Sequence, residues 1–311
     1  MKMTKPLYDF TGIRNALFSE VGIGISANTI LLLFHIFTFL LQHKLKSTDL
    51  IIGLLALIHI GMLIITGYTA TNINGSQDLW NDIECKSIIY LHRFLRGLSI
   101  CATCLLSVLQ AITLSPRSSC LAKFKHQSPH QILCSLVFLW VFYVSLSDQF
   151  LFSSATILNV TSHGVVFIAK SWEILPMNYF LRHLFSILGV IRDVFLIGLM
   201  ALSSGYMVTL LCRHKRHIQQ LHSTSLSLKA SPVQRATQSI LMLMSFFIIM
   251  YCLDCFFSSS RPVWNNDPVC LSIQIMVSNG YATTSALLLI CTEKQILKFL
   301  KSFLGKIAHV Y

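Results

Sequence analysis

Among the ionisable residues inside long apolar runs of this chain, six stand out as candidates for chemistry: Arg93, Arg96, Asp148, Arg192, Asp193 and Asp254. An ionised side chain at bilayer depth costs about 3 kcal/mol or more, so such residues face one another, water or a cavity. Arg93 and Arg96 are three residues apart and share one helix face. Together the six can recognise a polar ligand by charge, or they can form interhelical ion pairs and snorkel to the interface; the residues leave both readings open. Chemistry of the enzymatic kind is not written here. No His-Glu-x-x-His occurs, and His59 has no nucleophile or acid beside it in motif form. Cys101-Ala-Thr-Cys104 and Cys252-Leu-Asp-Cys255 have the CxxC spelling, but both lie in apolar runs with no histidine at metal spacing. They read as small hydrophobes, so no metal, cofactor or redox centre is expected, and the chain is not expected to be an enzyme. His59 and Asn28 read as makers of interhelical hydrogen bonds.

The elements that must position these groups follow from composition. The chain has 311 residues, of which 54% are hydrophobic and 12% charged. Soluble domains carry about 25% charge, so too little charge is present to coat a water-facing surface. Seven apolar runs can be read, at about 18–41, 50–69, 88–113, 132–155, 184–212, 239–257 and 269–291. Each suits a bilayer core about 30 Å thick. Periodicity within them is weak, as befits helices that are apolar nearly all round. The reading is an all-α membrane protein, a single seven-helix domain over 1–311 with no internal repeat. The missing repeat and the missing pairs of Gly/Pro-broken helices argue against a transporter. Ser47-Thr48-Asp49 caps the second run and Ser128-Pro129 starts the fourth. The first run is span-length and has no small-residue cleavage site, so it is expected to stay as a helix.

Charge sets the orientation. The net charge is +12. Nucleic acid would need a basic water-exposed face, which this chain lacks; the positive charge is expected to mark cytoplasmic loops instead. Lys44 and Lys46 follow run one. Arg117, Lys123 and Lys125 follow run three, Arg213, Lys215, Arg216, Lys229 and Arg235 follow run five, and Lys294, Lys298, Lys301 and Lys306 lie in the tail. The alternate loops hold Asp78, Asp82, Glu84, Glu173 and Asp267. The N-terminus is therefore expected outside and the C-terminus in the cytoplasm. The glycosylation sequons at Asn74 and Asn159 both fall in loops assigned outside. In this frame Arg96 lies roughly 15–20 Å below the outer end of run three. The six charged residues map to the outer half of the bundle or its middle. Arg117, Arg213, Lys215, Arg216 and Arg235 cluster at the inner ends of runs three, five and six, where they meet either a cytoplasmic partner or only the anionic leaflet.

Several stretches resemble one family, the vomeronasal type-1 (pheromone) receptors. They are LKSTDLIIGLLALIH in run two, RGLSICATCLLSVLQAITLSPRSSCLAKFK in run three and its loop, RDVFLIGLMALSSGYMVTLLCRHKR and LHSTSLSLKASPVQRATQSILMLMSFF around the third inner loop, and NDPVCLSIQIMVSNGYATTSALLLICTEKQI in run seven. Bitter taste receptors fit less well. The resemblance implies a G-protein-coupled chemosensory receptor in the plasma membrane. Its implied partners are a small pheromone-like molecule, an inhibitory-class heterotrimeric G protein and membrane lipid. The rhodopsin-like switch motifs are absent: Leu114-Ser115-Pro116-Arg117 ends run three, and run seven has no Asn-Pro-x-x-Tyr. The resemblance also implies a disulfide from Cys85 to a cysteine in the second outer loop. Trp172 stands where that cysteine is expected, which leaves Cys270 as a substitute partner. Ala286 stands where the family commonly has proline. These departures imply a looser outer lid, a straighter seventh helix and, as an alternative to a responsive receptor, a weakly active one.

Overall fold

A computed structural model describes residues 5–42, 47–72, 82–116, 119, 129–145, 179–221, 232–260, 268–292 and 296. Among them run seven long helices: α1 (Lys5–Gln42), α2 (Ser47–Asn72), α3 (Asp82–Leu114), α4 (Pro129–Ser145), α5 (Tyr179–Leu221), α6 (Pro232–Ser260) and α7 (Pro268–Thr292). Six contain a stretch long and apolar enough to cross a membrane; the apolar part of α4, His130–Ser145, is shorter. The helices outrun the apolar stretches. The first helix starts at Lys5, thirteen residues before the run at Phe18, and α5 continues past Arg213 to Leu221. Nothing in either extension breaks a helix: no proline interrupts 7–17 or 213–221, and helical backbone satisfies its own hydrogen bonds in water as in lipid. For run four the helix ends at Ser145 within the described residues, and 146–155 lie outside them.

The third helix is the hub. It packs on α2, α4, α5 and α6, while α1 lies on α2 and α7, and α7 also meets α2 and α6. Its span is 78% buried, against 22% for those of α1, α5 and α6. That contrast follows from composition. Ser99, Cys101, Ala102, Thr103, Cys104 and Ser107 give α3 a small-residue surface that lets neighbours approach closely. Leu106, Leu196, Met200, Leu243 and Met244, all essentially fully buried, fill the centre. Large apolar side chains point outward instead from α4 and α5, among them Phe138, Val194 and Leu202, as helices bathed in acyl chains require.

One close approach brings α4 against α3. A Cβ at Gly97 of α3 would run into the Tyr143 ring, with Cδ1 at 2.5 Å and Cζ at 3.3 Å. Only a residue without a side chain lets that ring lie against α3.

Candidate functional site

The site is built where α3, α5 and α6 converge. Arg96, about four turns into α3, reaches across to Asp254 of α6, with a guanidinium nitrogen 2.5 Å from Oδ2. The Arg96 side chain keeps 25% of its exposure and that of Asp254 13%. On α5, Arg192 folds back on its own neighbour: Nε and a terminal nitrogen each lie 2.7 Å from Asp193 Oδ1. Adjacent residues on a helix point to different faces, so the arginine must wrap round the helix to make this pair. It is steered by Tyr143 of α4, whose ring centroid lies 4.0 Å from the guanidinium carbon, a cation–π contact. The other Asp193 oxygen accepts a hydrogen bond from the Tyr251 hydroxyl of α6. Four charges and two tyrosines thus join α3, α4, α5 and α6 at one level.

Beside them lies a small cavity of about 30 Å³, lined by Arg96, Asp254, Tyr251, Met250, Ser278 and Tyr281 among others. That is room for a water or two; sites for drug-sized ligands run to several hundred Å³. A larger guest must displace side chains, and the Arg96–Asp254 pair is part of the wall it would move.

Around the cavity and farther along the bundle the polar groups are neutral. Tyr281 of α7 meets Thr103 Oγ1 at 3.2 Å and packs edge-on against Phe247 and His59, with ring centroids at 4.6 and 5.3 Å. His59 is buried, with Nε2 2.9 Å from Ser99 Oγ and Nδ1 3.4 Å from Ser285 Oγ. It ties α2 to α3 and α7, the interhelical role expected of it. Asn28 of α1 donates 2.9 Å to the Ala282 carbonyl of α7. Farther along α3, Ser107 pairs with Ser203 of α5 at 2.5 Å, and Gln110 donates to Thr237 of α6 at 3.3 Å. At the Leu114 end, Ser115 pairs with Tyr206 of α5 at 3.0 Å and with Ser119.

Of the six charged residues singled out from sequence, four are therefore placed, and they form two pairs rather than one cluster: Arg96 with Asp254, Arg192 with Asp193. Arg93 lies on α3 one turn before Arg96, but its side chain and the whole of Asp148 lie outside the described residues. Arg213 and Arg216 are exposed on the last turns of α5. Lys215 and Arg235 lie on α5 and α6 with side chains outside the described set, as does all of Arg117. Asn74, Asn159 and Trp172 also lie outside it; Cys85 sits in the first turn of α3 and Cys270 in that of α7, their side chains undescribed. Cys101 and Cys104 are free, buried thiols that point at backbone carbonyls of α4 and α5. No group of three or more potential metal ligands occurs among the described residues.

Sequence reasoning passed over Tyr143 and Tyr251. Inside a run of aromatics only the partners distinguish a hydroxyl that bonds a carboxylate from one at an interface, so no signal short of the fold marks them.

Comparison with known proteins gives a consistent answer. The family model described as the vomeronasal organ pheromone receptor family matches residues 11–302. The chain is 60% identical over 306 residues to vomeronasal type-1 receptor 90 of Rattus norvegicus, covering 98% of this chain and 99% of the relative. It is 50% identical over 302 residues to vomeronasal type-1 receptor 47 of Mus musculus, covering 97% of each. Among solved structures, squid rhodopsin superposes with a TM-score of 0.71 at 12% identity, covering 94% of this chain and 80% of that one, which speaks for the fold alone.

Proposed function

This chain belongs to the vomeronasal organ pheromone receptor family, and on that premise we propose that a small pheromone-like molecule enters from outside the cell, lodges beside Arg96 and Asp254, and drives coupling to an inhibitory-class G protein. As a multi-pass receptor of the G-protein-coupled fold it has a coarse task fixed by its family: to report an external chemical signal across the membrane. The proposal adds the site and the direction. The N-terminus lies outside, so the Asp82 end of α3 faces out and its Leu114 end faces in, with Asn74 and Asn159 carrying glycans.

One observation carries the site: the Arg96–Asp254 pair joins α3 to α6 and forms the wall of a cavity. A guest can shift the bundle only by binding one arrangement better than the other. A polar guest that offers Arg96 or Asp254 a new partner does so, because it replaces the contact that holds α6 against α3. The neutral contacts nearer the inner end, each worth about 1 kcal/mol, then rearrange at small cost. Movement of α6 away from Gln110 uncovers the inner ends of α3, α5 and α6, where Arg117, Arg213, Lys215, Arg216 and Arg235 form a basic surface for an acidic G-protein face.

The test is expression with a promiscuous G-protein α subunit, a calcium readout and a panel of small volatile and steroidal molecules. A response abolished by Asp254→Asn, with surface staining retained, supports the site. Sensitivity of native coupling to pertussis toxin supports the inhibitory class. Charge reversal across Arg213, Lys215 and Arg216 is expected to reduce coupling at unchanged surface expression; full coupling would reduce those residues to topology markers. Glycosidase digestion of Asn74→Gln and Asn159→Gln variants checks orientation, since a glycan at either residue requires that loop outside.

A further inference from the structure

A third carboxylate at membrane depth takes no part in the two ion pairs. Glu20 lies on α1, and both its carboxylate oxygens are buried without a hydrogen-bond partner. The nearest cation on its own helix, Arg14, is six residues and about 9 Å back along the axis, on a different face, and no ion pair joins them. The backbone at Glu20 is held against α7, where Thr283 Oγ1 donates 3.3 Å to the Glu20 carbonyl. The carboxylate is aimed at Gly280. A Cβ on Gly280 would stand 3.4 Å from Glu20 Oε1 and 2.8 Å from the terminal methyl of Met250. Glycine at this position thus leaves a window beside the α7 backbone, the space a Cβ would take, which both the carboxylate and the methionine methyl approach. Met250 belongs to α6 and lines the cavity beside Arg96 and Asp254. One flexible thioether, a side chain suited to yielding, thus touches both the cavity and the space at Gly280 that the carboxylate approaches.

We propose that Glu20, reached through the window at Gly280 when Met250 swings aside, is the anionic wall of a subsite that takes a monovalent cation. A buried carboxylate without donors either takes up a proton or draws in something positive, and this one has two oxygens without a hydrogen-bond partner beside a methionine that lines the cavity. The shared chemistry has two sources: an inorganic ion such as sodium, or the ammonium group of an organic guest whose apolar part rests against Tyr281 and Met250. The second source rests on the receptor reading above; the subsite itself does not. Arg96 and Asp254, already paired, would then hold a guest's polar end, and Glu20 would select guests bearing a positive charge.

The experiment is a melting measurement on the purified full chain in detergent at neutral pH. It compares sodium chloride, n-hexylammonium chloride, N-methylglucamine chloride at matched ionic strength, and hexanol as the neutral counterpart of hexylammonium. Wild type is expected to melt about 3 °C higher in saturating sodium or hexylammonium than in N-methylglucamine, with no rise in hexanol. Glu20→Gln, nearly the same shape, is expected to erase that rise. Gly280→Ala, whose Cβ displaces the Met250 methyl and meets the carboxylate at ordinary contact distance, is expected to weaken it at least tenfold in midpoint concentration. A rise in sodium alone assigns the site to the inorganic ion, and a rise in hexylammonium alone to an organic ammonium. No rise in either, or a rise that survives Glu20→Gln, overturns the proposal. Melting needs no G protein, so a silent calcium assay with an intact cation effect sinks the receptor site and spares this one, and the reverse pattern does the opposite.

Discussion

Two levels of the bundle hold their helices together by opposite means. At the level of Arg96 the links are ionic and aromatic: Arg96 to Asp254, Arg192 to Asp193, Tyr143 under the guanidinium and Tyr251 on the carboxylate. Some 16 to 28 Å farther along α3 the links are neutral: Ser107 to Ser203, Gln110 to Thr237, Ser115 to Tyr206. The difference is in what happens when a link opens. An opened ion pair leaves charges stranded in a medium that cannot solvate them. An opened hydroxyl pair leaves groups that can turn to a nearby backbone carbonyl, as Ser203 Oγ already does toward the Met200 carbonyl at 3.0 Å. The first level is specific and resists opening. The second gives way more cheaply.

The comparison breaks most readily at Arg96. Arg96→Ala strands Asp254 and is expected to lower stability by about 3–5 kcal/mol, read as a fall in melting temperature and in surface expression. Replacing both members with apolar residues, Arg96→Met with Asp254→Leu, is expected to restore stability to wild type or above while the ligand response stays lost. A double variant as unstable as the single one would mean that the pair serves the fold rather than recognition. Tyr251→Phe removes the donor to Asp193 and is expected to cost about 2 kcal/mol, the range for a hydrogen bond to a charged group. A smaller loss would show that Arg192 alone satisfies that carboxylate. At the other level, Ser107→Ala is expected to change stability by about 1 kcal/mol or less, and basal signalling in a calcium or cyclic-nucleotide assay is expected to rise. A loss as large as that of Arg96→Ala would erase the distinction between the levels.

How much of this was legible in the residues differs by level too. The charged level announces itself, because an Arg or Asp inside an apolar run is conspicuous whatever it touches. Glu20 carries the same mark, standing in the first apolar run, yet its type says nothing about whether a partner meets it. The neutral level is silent: Ser107, Gln110 and Thr237 are ordinary residues of polar-flecked helices, and only the packing of α3 on α5 and α6 turns them into a row of contacts. Trp172, in place of an expected cysteine, is legible as a departure and lies outside the described residues.

The amino-acid order by itself determined that the chain crosses a membrane as a helical bundle, since apolar runs of span length leave the backbone no other way to satisfy its hydrogen bonds in lipid. It also determined which family the chain resembles and which charges must find partners. Which charge met which was decided by the tertiary structure alone. Arg192 turns to its neighbour because Tyr143 lies beneath it, and Tyr143 lies there because Gly97 leaves the room. Glu20 stays unpaired because α7 presents it with a glycine. Those outcomes depend on distances between residues tens or hundreds of positions apart, which helix packing sets and local sequence does not encode.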